Sequence, residues 1–279
     1  MSATTPAPVD ASSTFLGRHE FLLRRLHSLS GVIPVGAYMC IHLLTNSTIV
    51  ESSTTFQRLV NQIHDLPVLL VIEWVFIFLP ILFHALYGIL IIRSGLPNHS
   101  TYRYGSNVRY SFQRMTGMIA FFFIAWHVFH MHGWFHADWW EKMAHGMGGA
   151  NFKPYNAAST AAKAMQANII VPILYAIGVL ACVFHLANGV WTFGITWGLW
   201  TTPESQVRAG RWCTAFGILL GIVGLTATGG FATVDVKKAR AAEIKMLEQR
   251  IEAGEVDPNS PKIDHSEIET PAVANKPGE

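Results

Sequence analysis

Residues 67–92 read PVLLVIEWVFIFLPILFHALYGILII, a run in which Glu73 is the one acidic or basic side chain. The hydrocarbon core of a bilayer takes about 20 residues of helix to cross, so this run is long enough to span. Working outward, four more stretches are almost free of charge over a comparable length: 28–48, 113–133, 168–193 and 212–234. Glu73 is the only ionised side chain expected well inside any of the five. After the fourth, Gly194 to Thr202 stays uncharged and rich in tryptophan, which suits the membrane interface. The pattern predicts an all-α membrane protein with five transmembrane helices.

Composition agrees. Of 279 residues 51% are hydrophobic and 14% charged, against about 25% charged in a soluble domain. A net charge of +2 selects no partner, and no basic run or aromatic-basic platform points to nucleic acid. Cys40, Cys182 and Cys213 fall in apolar stretches with no metal spacing and no C-x-x-C-H, which excludes a covalently attached haem. Residues 1–25 are polar and lack the apolar core of a cleavable signal, so the first span is expected to be retained.

Arginines orient the spans. One side receives Arg18, Arg24, Arg25, Arg93, Arg103, Arg109, Arg114, Arg208 and Arg211; the two loops on the other side receive Arg58, Lys142, Lys153 and Lys163. The positive-inside rule makes the first side cytoplasmic, although Lys237, Lys238 and Arg240 run against it locally. The division expected is a cytoplasmic N-terminal segment (1–27), a transmembrane domain (28–234) and a charged, partly disordered tail outside (235–279). In that tail, 236–253 has the pattern of a charged amphipathic helix and 254–279 that of a disordered end; both are expected to be a solvated appendage.

Four of the thirteen histidines lie well within spans: His42, His84, His127 and His185. His42 and His127 each come about 14 residues from the inner end of a span that starts inside, roughly 21 Å up at about 1.5 Å per residue. His84 and His185 each come about 17 residues into spans that start outside, roughly 25 Å down and near the inner face. Two histidines at each of two levels is the arrangement that two bis-histidine haems require, with irons some 15 Å apart in a core of about 30 Å. Any one buried histidine could be simply packed; the set at matched depths points to ligation. His130, one turn from His127, is the rival ligand. His132, His136 and His145 in the outer loop match no metal spacing.

The chain also repeats itself. Arg25-Leu-His-Ser-Leu-Ser-Gly31 precedes His42 as Arg114-Met-Thr-Gly117 precedes His127, and His84-Ala-Leu-Tyr-Gly88 matches His185-Leu-Ala-Asn-Gly189. Spans one and two look like a copy of spans three and four, each half bringing one outer and one inner ligand. Gly88 and Gly189, one turn after the inner ligands, read as room for a flat macrocycle or as helix-packing sites.

The segments RRLHSLSGVIPVG, FLPILFHALYG, QRMTG, AWHVFH and VFHLANGVWTFGITWG closely resemble the di-haem cytochrome b (b558-type) membrane anchors of succinate dehydrogenase, of the five-span kind that works with menaquinone. The resemblance covers roughly residues 15–235. It implies an anchor and electron-transfer subunit in the cytoplasmic membrane, whose first four helices bundle around two haem b. That subunit assembles with a flavoprotein and an iron–sulfur protein and passes electrons to quinone in the respiratory chain. It also implies an inner haem on His84 and His185 and an outer one on His42 and His127. Arg24, Arg25, His27, Ser28 and Arg114 complete the cofactor-binding candidates, the arginines as partners for propionates. Glu73, near the level of the outer pair, is the candidate proton donor or acceptor for quinone chemistry. The longer loop at 134–165 and the charged tail depart from the family pattern. A cytochrome b of another membrane dehydrogenase, or an anchor without haem, is the alternative.

Overall fold

A computed structural model describes residues 14–94, 105–135 and 137–265; His136 and residues 266–279 lie outside the described residues. In chain order the helices are α1 (Glu20–Val50), α2 (Ser53–His64), α3 (Leu69–Arg93), α4 (Gly105–His132), α5 (Asp138–Gly146), α6 (Ala157–Met165), α7 (Ile170–Thr196), α8 (Pro203–Thr233) and α9 (Val236–Glu252). No strand occurs among the described residues. The five expected spans are α1, α3, α4, α7 and α8, each long and apolar enough to cross a membrane.

The helices outrun the apolar stretches at their polar ends. α1 begins at Glu20 instead of residue 28, its first turns tied by an Arg24–Glu20 ion pair at 2.7 Å, one turn apart. α8 begins at Pro203 instead of 212, where Thr202 and Ser205 exchange backbone-to-hydroxyl hydrogen bonds at 3.1 and 3.2 Å in a capping box. Hydropathy marks where lipid begins; hydrogen bonding and caps mark where helix begins.

The chain divides into two compact units. The first takes residues 1–44, 67–124 and 176–225. Its core is Leu43, Val179, Val183, Leu186 and Leu220, with Met39, Phe123 and Phe216 packed around it. α1 opens into a wider π turn over Gly31–Gly36, around Pro34, which has no N–H to give to the preceding turn. α3 carries a second π turn over Glu73–Phe78, and the two wide turns touch.

The second unit takes residues 45–66, 125–175 and 226–279. Here α6 is buried on nearly every side because its sequence, AASTAAKAM, lets neighbours approach closely. α2 and α9 both pack on it. Gln57 of α2, 1% exposed, donates to Pro154 O at 2.8 Å and accepts from Ala157 N at 2.7 Å, so it caps α6. Glu243 of α9, also 1% exposed, accepts from the amide of Ser159 at 2.9 Å and from its hydroxyl. Burial pushes the Glu243 carboxyl up from its ordinary range. Arg240 pairs with Asp264 at 3.3 Å, Arg250 with Asp65 at 2.8 Å, and Leu247, Val256 and Ile263 close a small apolar cluster. Residues 236–264 are therefore a packed part of this unit, and the expected solvated appendage is corrected over that range. Its buried face is Ala239, Arg240, Glu243 and Leu247, too polar for hydropathy to reveal.

Candidate haem site

His84 of α3 and His185 of α7, the inner pair of the sequence reading, face each other in the first unit. Their ring centroids are 6.0 Å apart and their planes stand at 85°. Two imidazoles bound to one metal place their centroids about 6 Å apart, because each metal–nitrogen bond is about 2 Å. Each ring is held through its other nitrogen: His84 Nδ1 donates to the His27 carbonyl and His185 Nδ1 to the Gln113 carbonyl, both at 3.0 Å. That assignment leaves the two Nε2 atoms unprotonated and able to ligate a metal, the tautomer that a hydrogen bond to a carbonyl enforces at histidine metal sites.

Glycines make the approach possible. A Cβ on Gly31 would stand 2.3 Å from His84 Cε1, and one on Gly117 would stand 2.8 Å from His185 Cε1. His27 precedes Gly31 by four residues as Gln113 precedes Gly117. The repeated segment is thus a carbonyl that holds the opposing imidazole, followed one turn later by a gap that admits it. Gly88 and Gly189 do a different job. Their open faces receive His27 Cε1 (3.2 Å from a built Cβ) and Gln113 Nε2 (3.7 Å), so of the two readings offered for them, packing is the one the geometry supports.

The donor set fits a haem. It has two imidazole rings with centroids 6.0 Å apart, Nδ1 positions engaged, and a further buried polar atom, His27 Nδ1, with no hydrogen-bond partner among the described residues, as the polar edge of a cofactor would satisfy. The His27 ring lies flat against His84, centroids 4.0 Å apart. His132 closes α4 and His145 lies in the last turn of α5.

The remaining candidates sit as follows. Ser28 follows His27 on the same turn of α1. Arg24 pairs with Glu20; Arg25 lies over the rings of Phe21 and Trp197, 5.0 Å from each; Arg114 donates to the Tyr110 hydroxyl at 2.8 Å. His42 Nδ1 is 3.5 Å from the Tyr38 hydroxyl, the long edge of hydrogen-bond distance, and Tyr38 lies within electrostatic reach of Glu73. In the second unit the Tyr175 hydroxyl stands 3.2 Å from His127 Nδ1 and 2.9 Å from His130 Nδ1. His130 is also stacked on Trp126.

Sequence reasoning missed Gln113, Asn188, Tyr38 and Tyr175. Gln113 works largely through its backbone carbonyl, which no side-chain pattern reports. Its amide adds to this, donating to the His185 carbonyl at 3.1 Å and accepting from Asn188 at 2.8 Å.

Fold and site together define an all-helical protein with five candidate membrane spans, in which two histidines from different spans face each other. Compared with known proteins, it is 36% identical over 220 residues to the succinate dehydrogenase cytochrome b558 subunit of Bacillus subtilis (strain 168), a match covering 77% of this chain and 98% of that protein. The chain belongs to the succinate dehydrogenase cytochrome b558 subunit family. No family model matches it.

Proposed function

We propose that this chain anchors a succinate:quinone oxidoreductase in the cytoplasmic membrane and passes electrons from an iron–sulfur subunit through two b haems to quinone, of the menaquinone kind. A flavoprotein subunit carries the dicarboxylate chemistry. The observation that carries the reading is the His84–His185 pair, at 6.0 Å with both Nδ1 atoms engaged. Bound there, a haem b supplies a one-electron centre. His84 and His185 would hold its iron, and the carbonyls of His27 and Gln113 keep both imidazoles in the ligating tautomer. His27 and Ser28, with Arg24, Arg25 and Arg114, offer polar partners at the propionate edge.

His42 and His127 hold the outer haem; this rests on their equal register in the first and third spans. The arginine-rich loops face the cytoplasm and the iron–sulfur subunit, with the C-terminus outside. Glu73 is the proton-handling group. Reducing a quinone takes up two protons with two electrons, so a titratable side chain must stand between the quinone oxygen and water. Tyr38 lies within electrostatic reach of Glu73 and its hydroxyl is 3.5 Å from His42 Nδ1, so a carboxyl and a phenol share the neighbourhood of an outer ligand. Reduction at that level moves charge across the membrane, at about 2.3 kcal/mol per charge per 100 mV.

The test is a haem count with two variants. The purified complex should carry two haems per chain, and His84→Ala or His185→Ala should lose the inner one. Glu73→Gln should keep both haems and dye-linked succinate oxidation, while quinone-linked turnover falls at least roughly tenfold. One haem per chain in the unaltered complex refutes the di-haem reading; undiminished quinone turnover in Glu73→Gln removes Glu73 from it.

A further inference from the structure

The first unit carries an arginine that the haem site does not use. Arg109 is the third residue of the candidate span Asn107–His132, and the end of a span suits the headgroup region. Its Nε donates to Asn188 Oδ1 at 3.0 Å and its guanidinium lies over the Trp191 ring, 4.0 Å from the centroid. Among the described residues no carboxylate pairs with it, and its two Nη groups make no hydrogen bond. A fixed cation at the end of a span, with no counter-ion among the described residues, calls for an anion.

Beside it runs a groove of about 610 Å³, within the range of ligand sites. Arg109 and Asn188 stand at its polar end, and Leu180, Phe184, Ile218 and Ile222 are among its apolar walls. It lies between α7 and α8, which approach closely because α8 presents glycines to α7: a Cβ on Gly217 would stand 2.9 Å from Ala187 Cβ. Leu180, Ile218 and Ile222 are exposed, as lipid-facing side chains are. One charged end and a long apolar body describe an amphiphile with an anionic head.

We propose that this groove binds an anionic phospholipid, with its phosphate on Arg109 and one acyl chain along α8. Basic pockets between membrane-spanning helices select such headgroups by charge-assisted hydrogen bonds. A quinone matches the groove less well, since its neutral ring leaves the arginine uncompensated. The Asn188 bond and the Trp191 stack hold the guanidinium in place, so little ordering is needed when a phosphate arrives.

The test uses the purified complex, washed in mild detergent and incubated with mixed phosphatidylglycerol–phosphatidylcholine micelles. Retained lipid per chain is then counted by mass spectrometry. The unaltered protein and Arg109→Lys should keep about one phosphatidylglycerol per chain, and Arg109→Gln should fall roughly tenfold or more. Ile222→Trp, which fills the groove and leaves the cation, should also lose it, and serves alone if Arg109→Gln does not assemble. Equal retention in the unaltered protein and Ile222→Trp means annular lipid only and overturns the proposal. Preference for phosphatidylcholine, or co-purified quinone in place of phospholipid, overturns it as well.

Discussion

Adding one methyl group at four glycines in turn tests the haem geometry directly. On Gly31 the new Cβ would stand 2.3 Å from the His84 ring and on Gly117 2.8 Å from the His185 ring, against 3.2 Å to His27 from Gly88 and 3.7 Å to Gln113 from Gly189; ordinary contact begins at 3.4 Å. Relieving the first overlap moves an imidazole by roughly 1 Å, when metal–ligand distances tolerate only about 0.2 Å. The same movement stretches the 3.0 Å bond from His84 Nδ1 to the His27 carbonyl beyond useful length. Overpacking costs about 1–3 kcal/mol, whereas an alanine in an open helical site gains up to about 1 kcal/mol over glycine. Gly31→Ala and Gly117→Ala should therefore lose the inner haem, Gly88→Ala should lose part of it, and Gly189→Ala should keep it with equal or better thermal stability. Haem per chain by pyridine haemochrome, with reduced-minus-oxidised spectra, reads the order. If Gly189→Ala loses haem as fully as Gly31→Ala, or Gly31→Ala keeps both haems, the ligand geometry argued here is wrong.

Three further outcomes are expected. Tyr38→Phe, which removes the hydroxyl 3.5 Å from His42 Nδ1, should lower quinone-linked turnover severalfold and leave dye-linked succinate oxidation intact; equal turnover by both assays would exclude the phenol from proton handling. Burial, helped by nearby Lys262, holds His64 of α2 down at about 4, so its contribution to stability is complete above pH 6.5 and is lost as pH falls towards 4. Protease resistance of residues 236–264 should follow that window, and His64→Phe should flatten it; an unchanged pH profile in the variant would rule the histidine out. A reporter fused after Glu279 should be active outside the cytoplasm and one at Asn98 inside it, and a C-terminal fusion active in the cytoplasm would undo the orientation.

The five spans and the four histidines at membrane depth were legible because apolarity and register are properties of side chains in order. Helix ends were not, since the turns before residues 28 and 212 are held by an ion pair and a capping box that hydropathy does not weigh. The hydrogen bonds that orient His84 and His185 end on backbone carbonyls, and every residue has one; only the fold selects those of His27 and Gln113. Gly31 and Gly117 stood out as parts of a repeat, yet their part in admitting the opposing imidazoles was not legible, because contact across helices cannot be read along one of them. The tail was misjudged for a related reason. A helix that buries Arg240 and Glu243 against matched partners looks like one that faces water.

That tail also sets a schedule for synthesis. Gln57 waits 100 residues for Ala157, and Asp65 waits 185 for Arg250. Contacts so distant in sequence form late, because the intervening chain must be made before they can repay its ordering. The second unit therefore closes only when nearly the whole polypeptide has been translated. Until then the Ala-rich surface of α6 stays bare on the side that α9 covers. A chain released early, even with every span inserted, would carry an open polar joint at Ser159 and Asp65.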